Sequence, residues 1–264
     1  MYVAFDIEVS RWEEGALMPI SCAAMAFDPP LENGTETYVW GAVGQDFMSP
    51  GVCRNFARSL LMYSMERTVV TWNGAAFDFR ILTGWAKQHT PDAIVWQGAL
   101  ENLTMEHIDP GLLMACQKGF MIGLDTCAKA VGVQGKMAGM NGKYAPVLWT
   151  GLDGSEDAEV LRALSDLGIV PGTPDARRLV LDYVKQDALS TVKTYVALKE
   201  KGFVQWITKR GRPSRYPWVP AVYREDEQMA GDLLTVRDAL LLPEKRFDYL
   251  SNPMRREDCI DWMA

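Results

Sequence analysis

The sequence predicts an α/β fold built around a mixed sheet. Three observations carry the prediction. Strand-like runs fall at the start of the chain, at 19–28, at 36–42 and at 68–72. A helical pattern at 51–65 separates the third run from the fourth. The longest periodic segment, 175–202, reads as one continuous helix.

The first strand lies in MYVAFDIEVS. Side chains alternate across a strand, so Val3, Phe5 and Ile7 share one face, and Ala4, Asp6 and Glu8 share the other. PISCAAMAFD (19–28) and ETYVWGA (36–42) complete a meander, joined by the turn formers of DPPLENGT. In 51–65, Phe56, Leu60 and Tyr63 lie about one helical turn apart. TVVTW (68–72) is β-branched and runs into Asn73-Gly74, after which a helix fits 75–89. The pattern from 90 to 174 is less regular. It holds a short helix at 125–133, a Gly- and Met-rich loop at 136–146 and a helix at 158–168. In the long helix, Leu179, Val180, Tyr183, Asp187, Ser190, Val192 and Tyr195 populate roughly one side. Asp175 is its expected N-cap and Gly202 its stop.

Composition changes after Gly202. The tail holds a basic turn, TKRGRPSRYP (208–217), a mixed helix and a Trp- and Pro-containing end. The expectation is one main domain over 1–202 with an extension, 203–264, packed on it.

At 264 residues and 48% hydrophobic content the chain can bury a sizeable core. No run of 18 apolar residues predicts a membrane span, and the start lacks a basic stretch followed by an apolar one. The five cysteines, Cys22, Cys53, Cys116, Cys127 and Cys259, form no CxxC pair and suit reduced thiols in the cytoplasm. With only His89 and His107 to help them, zinc is not expected. A net charge of −7 and a pI near 5.0 argue against a general nucleic-acid coat protein. They do not exclude an enzyme that holds nucleic acid through metal ions.

Two like charges on one face of a buried strand repel and lose hydration, which calls for a cation, whereas an edge strand would simply leave that polar face solvated; further acids along the chain decide between the two. More acids follow. Asp78 lies just after the Asn-Gly turn in TWNGAAFDFRIL (71–82), and DYVKQDAL (182–189) places Tyr183 and Asp187 at i and i+4 on one helical face. A carboxylate set of this kind suits Mg²⁺ or Mn²⁺, which prefer oxygen ligands. Two such ions, roughly 3.5–4 Å apart, clamp the attacking and leaving oxygens of a phosphodiester. A tyrosine beside them, with an ordinary pKa of about 10, positions water more readily than it acts as a base.

Asp-x-Glu on the first strand, then Asn-Gly-x-x-Phe-Asp, then Tyr-x-x-x-Asp, in that order, resembles the DEDD (DnaQ-like) superfamily of 3′–5′ exonucleases. The tyrosine places it beside the DEDDy branch, and the nearest likeness is to the proofreading domain of family B DNA polymerases. The resemblance covers about residues 1–200. It implies a ribonuclease H-like fold: a mixed five-stranded sheet with helices on both faces. It implies that Asp6 bridges two divalent ions, that Glu8 and Asp187 hold the first, that Asp78 acts on the second and that Tyr183 orients the nucleophile. The substrate implied is a single-stranded 3′ end, DNA before RNA. An exoribonuclease would carry the same site, since only 2′-hydroxyl contacts discriminate. A non-catalytic binding module on this fold would lack one or more of the acids, and all are present.

Asn73 and Phe77 are the candidate substrate contacts, although Asn73 fits a plain turn and Phe77 fits core packing as well. Lys136, Lys143 and the basic residues Lys209, Arg210, Arg212 and Arg215 could reach phosphates or be solvated loop charges. His107-Ile108-Asp109-Pro110 reads as a structural segment rather than a metal pair. Val9 stands where the family often has a threonine beside the terminal nucleotide. No polymerase motifs follow, so the expectation is a free-standing nuclease or a subunit working with a replication or repair partner.

Overall fold

A computed structural model describes residues 1–11, 18–90, 92–154, 156, 158–208, 211–217 and 233–263. Strand β1 (Tyr2–Val9) pairs antiparallel with β2 (Ile20–Asp28), which pairs antiparallel with β3 (Thr37–Trp40). Helix α1 (Pro50–Ser64) crosses over to β4 (Thr68–Val70), which returns parallel to β1. The sheet order is β3-β2-β1-β4, a mixed sheet with β1 in the interior.

Four strands form this sheet among the described residues, not the five expected. In place of a fifth there is one parallel bridge between Val70 and Ile108. Ile108 N–H donates to the Val69 carbonyl at 3.0 Å and its own carbonyl accepts from Thr71 N–H at 3.0 Å. The ladder stops there because α3 (Ala93–Glu106) ends just before it and α4 (Pro110–Lys118) begins just after. Asp109 caps α4 and Pro110 opens it, which leaves no backbone free to extend a strand.

The two faces of the sheet are chemically unlike. Val3, Phe5, Ile7 and Val9 join Met25 and Phe27 against α1 and α2 (Asp78–His89), where Phe5 meets the rings of Phe56 and Phe79 edge-on. The other face carries small residues: Ala4, Cys22, Ala24 and Ala26. Helix α8 (Pro174–Lys201) lies on it through Val180, Tyr183, Val184, Ala188 and Val192, with Trp149 of α6 (Ala145–Thr150) beside it. Small side chains let a helix backbone come close to a sheet. That closeness brings α8 to the carboxylates of β1.

Helix α8 runs one residue earlier at each end than expected and is capped by Thr173, whose hydroxyl accepts from Ala176 N–H, with Pro174 at its first position. Asp175, the expected cap, instead pairs with Arg178. Gly202 ends the helix at φ +67°, as expected. Helix α2 starts three residues later than expected, because Asn73 to Phe77 are spent in a tight turn.

Helices α5 (Leu124–Val131) and α7 (Ala158–Leu167) complete the segment before α8. After α8, β5 (Phe203–Ile207) and β6 (Pro213–Pro217) form a hairpin, and α9 (Val236–Leu241) follows. The tail touches the site's support at two points. Val236 N–H donates to the His107 carbonyl, and the Trp262 indole donates to the Ala75 carbonyl at 2.9 Å. All five cysteines are buried free thiols. No described helix is long and apolar enough to cross a membrane.

The small-residue face is testable. Ala24 is fully buried and pairs with Asp6 across the β1–β2 ladder. Ala24→Leu is expected to overpack the contact with α8 and cost about 1–3 kcal/mol in chemical denaturation. A change within error would show that α8 does not need the small face.

Candidate active site

Asp6 and Glu8 project from β1 toward α8, as the alternation requires. Asp6 Oδ2 is closed off from solvent without a hydrogen-bond partner among the described residues. Burial lifts the Asp6 carboxyl well above its ordinary range, and Asp78, Asp187 and Glu8 push it further. Burial likewise raises Glu8, with the field of Asp187 adding to it.

Asp78 opens α2. Strand β4 flanks β1 only as far as Ala4. Beyond that point Asp78 Oδ1 accepts the Ile7 N–H at 2.8 Å, which ties the start of α2 to the acidic strand. Burial raises the Asp78 carboxyl to about 7, against the opposing pull of that hydrogen bond.

The turn that delivers Asp78 is held by Asp109. Its Oδ1 accepts from Asn73 N–H at 2.9 Å and Leu112 N–H at 3.1 Å, and its Oδ2 accepts from Ala75 N–H at 3.1 Å. Asn73 adopts φ +70°, a left-handed conformation that asparagine tolerates. At Gly74 a Cβ would come within 2.5 Å of Thr71, so no larger residue fits. His107 Nδ1 lies 2.6 Å from the Thr104 carbonyl, an acceptor only, so Nδ1 carries the proton. Nε2 is then free to accept the Thr71 hydroxyl at 2.9 Å. Burial lowers the His107 pKa and keeps the ring neutral. His107 and Asp109 therefore brace the Asn-Gly turn. The support role of Asp109 was not read from the sequence, although an Asp-Pro pair before a helix is the signature of its cap.

Tyr183 and Asp187 are both buried on the sheet-facing side of α8, while Asp182 is exposed. Lys136 reaches between them. Its ammonium donates to Asp187 Oδ2 at 2.6 Å and to the Tyr183 hydroxyl at 2.8 Å, and lies 5.2 Å from the centre of the Tyr183 ring. The loop that carries it is fastened on both sides. Lys136 N–H donates to Asp125 Oδ1, and the Gln134 and Gly135 carbonyls accept from Ser190 and Gln186 on α8. Asp187 Oδ1 is buried without a partner among the described residues. Burial raises Asp187 against the pull of Lys136. Burial also pushes the Tyr183 hydroxyl far above its ordinary value, so it keeps its proton. Burial alone would lower Lys136, but Asp187, Asp6 and Glu8 outweigh it and raise the ammonium.

The structure thus brings Asp6, Glu8, Asp78, Tyr183 and Asp187 into one electrostatic unit. Among the described residues, no three carboxylate, imidazole or thiol groups stand ready around one point as metal ligands; an ammonium sits among the acids instead. The donor set still fits a hard divalent cation. It is all oxygen, and two of its oxygens, Asp6 Oδ2 and Asp187 Oδ1, are buried without partners.

The candidate substrate contacts are placed less centrally. Asn73 is half-buried in the turn, and Phe77 packs against the β1-side core while part of it stays exposed. Val9 is fully buried in that core and presents nothing to a ligand. Lys143 and Arg11 line a cleft of about 520 Å³ with Ser10, Pro146 and Val147, just past the end of β1. The basic turn is the connection and second strand of the β5–β6 hairpin. Arg215 stacks 3.8 Å from the Phe203 ring centre, and Lys209 and Arg210 lie outside the described residues.

Residues 52–199 match the RNase_H superfamily, and the chain belongs to it. Its mixed sheet with helices on both faces is that of the ribonuclease H-like fold, and membership of the superfamily supports a nuclease function. Among solved structures it is similar to the family B DNA polymerase from the hyperthermophilic archaeon Pyrobaculum calidifontis, at 18% identity and a TM-score of 0.38. That similarity covers 72% of this chain and 27% of the polymerase, so the chain spans about a quarter of its length. No curated protein matches the chain.

The raised carboxyls give a pH signature to the metal-free protein. A carboxyl whose folded pKa exceeds its unfolded value adds stability below the unfolded pKa and loses it as pH rises through the folded one. For Asp78 that window runs from 3.8 to about 7. In EDTA, calorimetric Tm is expected to fall as pH rises from about 5 to about 8. A flat or rising profile would mean that the acids are not confined together.

Proposed function

We propose that the chain is a metal-dependent 3′–5′ exonuclease that trims single-stranded nucleic acid, DNA before RNA, and releases nucleoside 5′-monophosphates. The observation that carries this reading is the electrostatic coupling of four carboxyl groups from β1, α2 and α8, with two buried oxygens left without partners. A structural acid cluster would be expected to pair those oxygens.

Asp6, Glu8 and Asp187 would hold one divalent ion, and Asp6 with Asp78 a second, Mg²⁺ or Mn²⁺ in each case. Ions held there would supply polarisation of a phosphodiester and a more acidic bound water. The protein's own groups supply the rest. Tyr183 keeps its proton, so it orients the attacking water as a hydrogen-bonding group and does not act as a base. Asp78 is fixed through Ile7 and the Asp109-braced turn, which sets its distance from Asp6 without a flexible loop. Burial of the acids against α8 excludes bulk water and strengthens every charge interaction among them. The cleft beside Ser10 carries Arg11 and Lys143 along with Asp153 and Glu156, and its place just past the end of β1 makes it the candidate seat for the strand that leads to the 3′ end.

The test is a gel assay on 5′-labelled single-stranded DNA and RNA with Mn²⁺, Mg²⁺ or EDTA. The wild type is expected to give a ladder shortening from the 3′ end, only with metal. Asp6→Ala is expected to lose at least about 10³-fold in rate, the scale of several kcal/mol of charge stabilisation. No metal-dependent shortening of either substrate, or full activity in Asp6→Ala, would reject the reading.

A second variant separates positioning from ion binding. Tyr183→Phe is expected to slow cleavage roughly 10–100-fold, as removal of a group that orients a metal site does. Its calorimetric affinity for Mn²⁺ should not fall. A matching loss of Mn²⁺ affinity would make Tyr183 part of the ion site instead.

A further inference from the structure

The acid cluster already contains a cation, and that cation is part of the chain. The Lys136 ammonium bonds Asp187 Oδ2 and the Tyr183 hydroxyl, and both Asp6 and Glu8 lie close enough to feel its charge. We propose that Lys136 is a resident counterion: it holds the acid cluster together in the metal-free protein and leaves when the first divalent ion binds. The inference rests on the preceding reading that these acids take divalent ions.

Three features of the site support the exchange. First, the charges need it. Asp6, Glu8, Asp78 and Asp187 repel one another in a largely buried site, and among the described residues Lys136 is the cation whose attraction acts on all of them. Second, the ammonium and a divalent ion compete for the same ground. Each needs Asp187, and two cations sharing one buried carboxylate repel strongly at low dielectric. Third, the attachment is built for a swing of the side chain and not for movement of the loop. The backbone of 134–136 is bonded to Asp125, Gln186 and Ser190. The four-carbon stem of lysine carries the charge alone, and about a third of the side chain is already exposed. Lysine suits this duty better than arginine, because a compact point charge leaves more readily than a planar fork locked to a carboxylate.

The experiment uses the full chain and does not rely on nuclease activity. Wild-type protein is treated with limiting acetic anhydride in EDTA and in Mn²⁺, and each lysine's modification is read by mass spectrometry against exposed Lys193. Lys136 is expected to be protected in EDTA and to react several-fold more with Mn²⁺ bound. Unchanged reactivity would overturn the exchange. In parallel, Mn²⁺ affinity is measured by calorimetry for wild type, Lys136→Met and Asp6→Asn. Lys136→Met is expected to bind Mn²⁺ at least tenfold more tightly than wild type and to melt at a lower temperature in EDTA. Equal or weaker binding would overturn the proposal. Should Lys136→Met fail to fold without metal, the labelling of wild type decides alone. Mn²⁺ binding by wild type that is lost in Asp6→Asn keeps the underlying reading even where the exchange fails. No Mn²⁺ binding in any of the three proteins would overturn that reading, and the exchange with it.

Discussion

Confinement of like charge is the constraint on which the rest of this structure depends. Four carboxyl groups, three of them buried and Asp6 half-buried, are held together at a cost in desolvation and in repulsion. The scaffold around them offsets that cost. An interior strand carries two of them, a helix start pinned to the same strand carries the third, and the longest helix brings the fourth across an alanine-rich face. The apolar side of the sheet is packed with aromatic residues and supplies the cohesion that the acidic side lacks.

The division of labour between the faces explains why so much was legible in the sequence. Alternation along MYVAFDIEVS separates Phe5 from Asp6 by rule, and the structure follows it. A helical repeat puts Tyr183 and Asp187 on one side of α8, and both are buried there. Acids are costly to bury, so their presence in otherwise apolar segments stands out against the background. The residues that resemble a known set of motifs are those the fold gathers at one place.

What was not legible depends on contacts between distant segments. The fifth strand shrinks to a bridge because two helix ends crowd Ile108, and helix ends in the 90–124 stretch are poorly marked. Thr173 outcompetes Asp175 as a cap because Pro174 fixes where the helix begins. Lys136 lies in a loop without periodicity, and its partners are 47 and 51 positions away, so local pattern says nothing about them. Asp109 speaks to Asn73 from 36 positions away, and its part in the turn emerges only once β4 and α4 are side by side.

The indole of Trp262 closes a long circuit. It donates to the carbonyl of Ala75, inside the turn that delivers Asp78, across 187 positions of sequence. That carbonyl lies three residues from the acid, on a turn too tight to absorb a change elsewhere. A change at the last short helical turns has a direct hydrogen-bonded route to the turn that carries Asp78. The tail is thus remote in sequence from the acid and joined to it through one hydrogen bond and three residues of a tight turn.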